Sequence, residues 1–343
     1  MRRPRLEEIF ERLVAEGLAN ADQRPGLAAA VERSTDAATP WFVRALVGLG
    51  AWVAAILLLV FMALLEILNE HTYLLIGPVL CGGAVLLRGS RSQAARINDF
   101  LEQLYLALCL AGQGVTVYGL YELLDNEFSA ALGTLVLEVA LVVLYTGAFG
   151  RFLSVNFAWI ALAVVVGDAP EPLAADLPVD LTVTLAALAL AWVWWQQPRL
   201  LAGPAANLVT PIGYGTATFL LGLLLISISF DSPAGWPATA VLTIVVALLS
   251  WRIQGKVSPL TAAILLLGAI TWTTPGLMAA VLVMTLGFYR RDPPLLGLAL
   301  AFLVVFTSAY YYHLDMTLLR KSGVLAASGL LLLLVRARLV EAS

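Results

Sequence analysis

Few side chains in this sequence could do chemistry inside its long apolar segments, and Glu138 is the most deeply placed of them. It lies near the middle of an apolar run over about residues 128 to 148. A carboxyl group in hydrocarbon costs about 2.5 to 3.5 kcal/mol on insertion scales, so Glu138 should be protonated or face a partner inside a helix bundle. It is either a proton or cation carrier or one hydrogen bond between helices, and we favour the hydrogen bond.

A second polar group lies in the apolar run over about residues 101 to 123. Glu102 and Gln113 are its candidate substrate-binding or ion-binding residues, and so much polarity predicts a central place in the bundle for this helix. Gln113 stands between Gly112 and Gly114. Small residues allow helix backbones to approach closely, so that an amide can bridge them, and we favour this packing role for Gln113.

A third group occurs near the end of the chain, in the stretch AYYYHLDMTLLRKSG. Its candidate residues are Tyr311, Asp315, Arg320 and Lys321. If the last apolar segment begins near Thr317, the two basic side chains lie about one turn inside it, where they must snorkel, pair with an acid such as Asp315, or face an aqueous cavity. An interfacial belt of Tyr and Lys anchors is the equally weighted alternative.

Motifs of soluble catalysis are missing from the sequence. It contains no GxSxG elbow, P-loop or GxGxxG segment, and His71 and His313 have no HExxH or cysteine partner that would specify a metal. Cys81 and Cys109 fall inside apolar runs, which predicts small buried side chains. A formal net charge of -3 gives no basic footprint for nucleic acid. We predict a protein without enzyme activity, cofactor, metal or nucleic-acid partner.

Composition identifies the elements that must position these residues. The chain of 343 residues is 61% hydrophobic and 13% charged, against roughly half apolar and a quarter charged in soluble domains. Its apolar residues form runs of about 15 to 25, and a helix of that length crosses about 30 Å of hydrocarbon. The sequence predicts an all-α, polytopic transmembrane helix bundle of about twelve helices, with the lipid bilayer as its first partner.

Three regions follow from this pattern. Residues 1–40 are predicted to form a cytoplasmic helical hairpin, because apolar residues recur every three or four positions from Leu6 to Leu18 and Pro25 suits the start of a second short helix. Residues 41–338 are predicted to form the transmembrane bundle, and residues 339–343 a cytoplasmic tail. The predicted spans are about 43–67, 72–88, 101–123, 128–148, 152–167, 180–196, 206–229, 235–251, 257–272, 275–289, 294–311 and 317–336.

Basic residues predict the orientation. Of the 20 Lys and Arg residues, all except Arg320 and Lys321 precede or open the first span, lie at every second connection, or lie at the end of the last span, whereas the alternate connections are acidic. Because basic residues near span ends stay on the cytoplasmic side, both termini are predicted to be cytoplasmic. This pattern favours two full crossings for the short spans 257–272 and 275–289, with a re-entrant hairpin as the alternative.

Three stretches carry a resemblance to a known family: TPWFVRALVGLGAW, LAGQGVTVYGLYELL, and YYYHLDMTLLRKSG with LAASGLLLLL. Together they resemble the bacterial membrane-protein family catalogued as domain of unknown function 4401. The resemblance implies an inner-membrane protein encoded beside a second polytopic protein and a small protein with a GDYxxLxY motif. It implies no catalytic role, and the positions that match its polar motifs are Gln113, Tyr311, Arg320 and Lys321.

Two functions therefore remain in view. The absence of catalytic motifs and the family resemblance favour a non-enzymatic subunit of a membrane or envelope complex. Glu138, the polar third span, the basic pair near the end and the proline-interrupted short spans are typical of a transporter, channel or flippase. We favour the subunit slightly, because a transport route usually has more polar lining residues.

Overall fold

The computed structural model describes residues 41–64, 72–89, 95–145, 147–168, 177–203, 205–229, 235–254 and 259–313. Within these ranges the chain forms eleven α-helices and no strand. The helices are α1 (Trp41–Leu64), α2 (Tyr73–Gly89), α3 (Ala95–Leu124), α4 (Glu127–Leu144), α5 (Ala148–Gly167), α6 (Leu177–Leu201), α7 (Ala206–Ser229), α8 (Trp236–Gln254), α9 (Pro259–Ile270), α10 (Pro275–Arg290) and α11 (Pro293–His313).

This architecture confirms an all-helical membrane protein. Seven described helices, α3 to α8 and α11, are long and apolar enough to cross a membrane, and shorter apolar helices occur in α1, α2, α9 and α10. Each helix matches one of the first eleven predicted spans. The predicted twelfth span, 317–336, lies outside the described residues, as do the N-terminal hairpin, 1–40, and the tail, 339–343.

The chain divides at Gly119 into two compact units. In the first unit, α2 and α3 approach so closely that their contact requires glycine. A Cβ atom added to Gly112 would lie 2.7 Å from both the Cys81 Sγ atom and the Gly77 carbonyl oxygen. Likewise, a Cβ atom on Gly77 would lie 2.7 Å from the Thr116 backbone nitrogen. We call this contact the α2–α3 seam; small residues form it because only they allow two helix backbones to come this near.

Both cysteines of the chain lie at the α2–α3 seam. The side chains of Cys81 and Cys109 are buried, and the Cys81 thiol donates to the Cys109 carbonyl oxygen over 3.7 Å. The prediction that they are small buried side chains is confirmed. At the other end of the seam, the rings of Tyr73 and Tyr118 meet edge to face with centroids 4.9 Å apart.

The second unit is built around α7, which packs against α5, α6, α10 and α11. Its side chains Leu220, Leu221 and Leu224 are buried together with core residues of α6, α8 and α10. Gly215 brings α7 close to α5, because a Cβ atom there would lie 2.7 Å from a Val155 methyl group. Two polar side chains of this central helix, Tyr214 and Thr216, also form hydrogen bonds with neighbouring elements, and such contacts form part of the candidate site.

Helices α9 and α10 are separate and short. Helix α9 has 12 residues and α10 has 16, which correspond to about 18 Å and 24 Å. The connection begins after Ile270, and Pro275 occupies the first turn of α10, where its missing N–H leaves no helical bond unmade. Helix α8 packs against both of them.

Candidate functional site

Glu138 is enclosed where α4 packs against α5. Its side chain is fully buried, and so is Ser154 on α5, whose hydroxyl group interacts with the carboxyl group. Neither carboxyl oxygen makes a hydrogen bond of ordinary geometry within the part of the chain that the structure describes. The expectation that Glu138 faces into the bundle is met, and the polar group it faces is a serine hydroxyl.

The local structure places Glu138 nearer to one helix end than the sequence predicted. The Asn126 side chain caps the start of α4 by accepting from the Ser129 N–H over 3.0 Å, and α4 ends at Leu144 because Tyr145 is extended. Glu138 therefore stands six residues, or about 9 Å, before the end of its helix. The predicted span to residue 148 had put it in the middle, because apolar residues continue through the turn into α5.

An arginine holds α5 to α7 at the same end of the pair. The Arg151 guanidinium donates to the Asn207 carbonyl oxygen over 3.2 Å. Asn207 lies in the first turn of α7, four residues before Pro211, which is inside the helix and has no N–H to donate. Arg151 thus satisfies a carbonyl group that the proline leaves open.

A second arginine does the same between α10 and α6. The Arg290 guanidinium donates to the Trp194 carbonyl oxygen. Trp194 lies in α6 four residues before Pro198, which is also inside its helix. We call the two contacts the Arg151 clamp and the Arg290 clamp. Each joins two helices through a carbonyl group that has lost its helical donor.

Side chains of α7 make further polar contacts in the second unit. The Tyr214 hydroxyl donates to an Asp292 carboxyl oxygen over 2.6 Å, and that oxygen also accepts the Leu295 N–H at the start of α11. On the face toward α5, the Trp159 indole N–H donates to Thr216 over 3.0 Å. These bonds connect α7 to α5 and to the α10–α11 turn.

Sequence reasoning missed these contacts. It used Arg151 and Arg290 only to orient the chain, although each proline inside a predicted helix identifies the carbonyl group four residues earlier as one that needs a donor. That signal could have named Asn207 as an acceptor, because Pro211 lies inside the predicted span 206–229. Pro198 lies beyond the predicted end of its span at residue 196, so the sequence did not single out Trp194 in this way. Which basic residue reaches each of them depends on how the helices pack.

The candidates named from the sequence are distributed between the two units. Gln113 is buried on α3 in the first unit and Glu138 on α4 in the second. Glu102 and Tyr311 lie on α3 and α11, but their side chains are not among those described. Asp315, Arg320 and Lys321 lie outside the described residues, and so does their predicted buried charge site. Among the described residues, no cluster of His, Cys, Asp or Glu could hold a metal ion.

Long apolar helices, close glycine contacts and enclosed polar groups define a polytopic helical membrane protein. The chain belongs to the family described as Domain of unknown function (DUF4401), whose model matches residues 40–341. The resemblance seen in the sequence is therefore confirmed. No curated protein and no solved structure matches the chain.

Proposed function

We propose that the protein is a non-enzymatic subunit of a membrane or envelope complex in the bacterial inner membrane. The observation that carries this proposal is the environment of Glu138. The carboxyl group is enclosed against Ser154, and the cavity beside it, between α4, α5 and α7, has an apolar lining. A transport route needs polar groups along its length, whereas an enclosed carboxyl group between two helices serves to join them.

The proposal includes about twelve spans, two full crossings by α9 and α10, and both termini in the cytoplasm. The support is the position of basic residues at helix ends that alternate along the chain: Arg151 near the start of α5, Arg199 near the end of α6, Arg252 in α8 and Arg290 in α10. A reporter fused to the N-terminus of the full-length chain and a reporter fused after residue 343 should both give cytoplasmic signals. A periplasmic signal from either fusion contradicts this topology.

The proposed partners are a second polytopic membrane protein and a small protein with a GDYxxLxY motif. The test is affinity purification of the full-length chain from its native membrane in a gentle detergent, followed by mass spectrometry. We expect one or both partners to be recovered in amounts comparable with the chain. Repeated recovery of the chain alone would contradict the subunit proposal.

Transport remains the second candidate, because Glu138 is a buried ionisable group and prolines interrupt α2, α6 and α7. Glu138→Gln separates the two functions, since glutamine keeps the size and hydrogen-bonding capacity of the side chain but cannot carry a proton. If Glu138 only joins two helices, a deletion strain that shows envelope stress should be fully rescued by Glu138→Gln, and this substitution should change the melting temperature by only a few degrees.

Glu138→Leu is the matched variant for this experiment. Leucine has a volume similar to that of glutamate but cannot make the polar contact with Ser154. The melting temperature of the Glu138→Leu protein in detergent should therefore be lower than that of the Glu138→Gln protein. A Glu138→Gln protein of normal abundance and unchanged melting temperature that rescues nothing would instead identify a proton or cation carrier.

A further inference from the structure

An apolar groove opens beside Glu138 on the surface of the second unit, between α4, α5 and α7. Its volume is about 400 Å³, and its wall is formed by side chains that include Val139 and Val143 of α4, Val155 and Leu162 of α5, and Leu208 and Ile212 of α7. We call it the α4–α5–α7 groove. Val139 and Val143 are 54% and 63% exposed, so the groove is open toward the surroundings of the bundle.

The size of the groove fits a long hydrocarbon chain. A cavity of about 150 Å³ already holds a benzene-sized molecule, and small-molecule pockets begin at about 300 Å³. Along α4 the lining residues run from Leu135 to Val143, a rise of about 12 Å. One leaflet of a bilayer contributes about 15 Å of hydrocarbon. The length of the groove along α4 is therefore close to the thickness of hydrocarbon in one leaflet.

The positively charged side chain of Arg151 lies at one end of the groove. Arg151 lies one helical turn before Val155 and shares its face of α5, so the sequence of residues along that face is Arg151, Val155, Ala158 and Leu162. The Arg151 clamp places the guanidinium at Asn207, the neighbour in sequence of the lining residue Leu208. Because Pro211 leaves the Asn207 carbonyl open, the guanidinium is held at this end of the groove.

We propose that the α4–α5–α7 groove binds an anionic phospholipid, with one acyl chain in the groove and the phosphate group at Arg151. The assignment of this lipid to the cytoplasmic leaflet rests on the proposed topology, which puts the start of α5 on the cytoplasmic side. A guanidinium has several N–H donors, and the Asn207 carbonyl accepts from only one of its terminal nitrogens, so the group has further donors with which to bind a phosphate group. The apolar wall selects a hydrocarbon chain and the cation selects an anionic headgroup. A free phosphate ion would bind the guanidinium alone and leave the groove empty.

The experiment uses the purified full-length protein in nanodiscs that contain phosphatidylcholine with or without phosphatidylglycerol, and native mass spectrometry counts the lipids retained on release. We expect phosphatidylglycerol to be retained in preference to phosphatidylcholine, and an excess of inorganic phosphate to leave this retention unchanged. Arg151→Gln should lower the preference about fivefold, because one interfacial Arg contributes about that much to binding of anionic lipid. Arg151→Lys should keep most of it.

Val139→Trp supplies the second test, because it fills the groove from its exposed wall without touching the arginine. It should abolish retention of the lipid while the melting temperature stays near that of the parent protein. Its matched control is Val136→Trp, since Val136 is 65% exposed on the same helix but does not line the groove. Arg199→Gln is the control for charge, at an exposed arginine near the end of α6.

Three results would overturn the proposal. The first is equal retention of the two lipids by the parent protein, and the second is unchanged retention in both Arg151→Gln and Val139→Trp. The third is loss of a co-purifying protein from Val139→Trp with lipid retention intact, which would assign the groove to a partner's helix.

Discussion

Gly112→Leu is expected to force α2 away from α3 and to destabilise the first unit strongly. The built Cβ atom of residue 112 would already lie 2.7 Å from the Gly77 carbonyl oxygen and 2.9 Å from the Cys81 backbone nitrogen. Both are backbone atoms, which cannot rotate aside as a flexible side chain can. Overpacking of an interior typically costs about 1 to 3 kcal/mol, and a clash between two helix backbones should exceed that range.

The protein contains its own reporter for this change. Cys81 and Cys109 are the two cysteines of the chain, and both are buried at the α2–α3 seam. A thiol-reactive fluorophore should label the two cysteines slowly in the parent protein and rapidly in the Gly112→Leu protein. On heating, rapid labelling should begin at a lower temperature in Gly112→Leu than in the parent protein. The labelling rate therefore reports directly on opening of this one contact.

Gly114→Leu is the matched control for this measurement. Gly114 lies two residues along the same helix, and a Cβ atom there meets nothing within 4 Å. Gly114→Leu makes the same substitution on the same helix but away from the contact with α2. The labelling rate and the melting temperature should therefore stay close to the parent values. Equal labelling rates for Gly112→Leu and Gly114→Leu would show that α2 and α3 do not form this close contact in the membrane.

The positions of the helices could be predicted from the sequence because hydrocarbon imposes a simple requirement on it. Each crossing needs a long apolar run, and the end of a run is visible as polar or turn-forming residues. Eleven predicted spans are thus found as helices. The predicted end of the fourth span, residue 148, was too late, because α4 ends at Leu144. Tyr145 and Ala148 continue the apolar pattern through the turn, and only the extended backbone of Tyr145 reveals that the helix has ended.

Contacts between helices were harder to predict because almost every surface of every helix is apolar. Burial of Gln113 and Glu138 was expected, since polar groups avoid lipid. That Glu138 faces Ser154 was not, because a serine among apolar residues has no distinguishing pattern. The arginine contacts could not be predicted because their partners are far apart in the sequence. Arg290 donates to a carbonyl group 96 residues away, and no local periodicity contains that information.

Arg290→Met is expected to lower the free energy of unfolding by about 1 to 3 kcal/mol, because it leaves the Trp194 carbonyl without a donor. The decisive measurement is a double-mutant cycle with Pro198→Ala. Alanine at position 198 restores the N–H that can close the helical bond to Trp194, so the carbonyl no longer depends on the arginine. In the Pro198→Ala background, Arg290→Met should therefore cost at least about 1 kcal/mol less than in the parent protein.

The design separates the clamp from general effects of charge at the end of α10. Arg291→Met removes the neighbouring exposed charge and should show no coupling to Pro198→Ala. Reversible SDS titration in mixed micelles gives the required free energies. Effects of Arg290→Met and Pro198→Ala that add to within about 0.5 kcal/mol would contradict the clamp. The same cycle with Arg151→Met and Pro211→Ala tests the second clamp, and coupling in both would show that prolines and arginines together join α5, α6, α7 and α10.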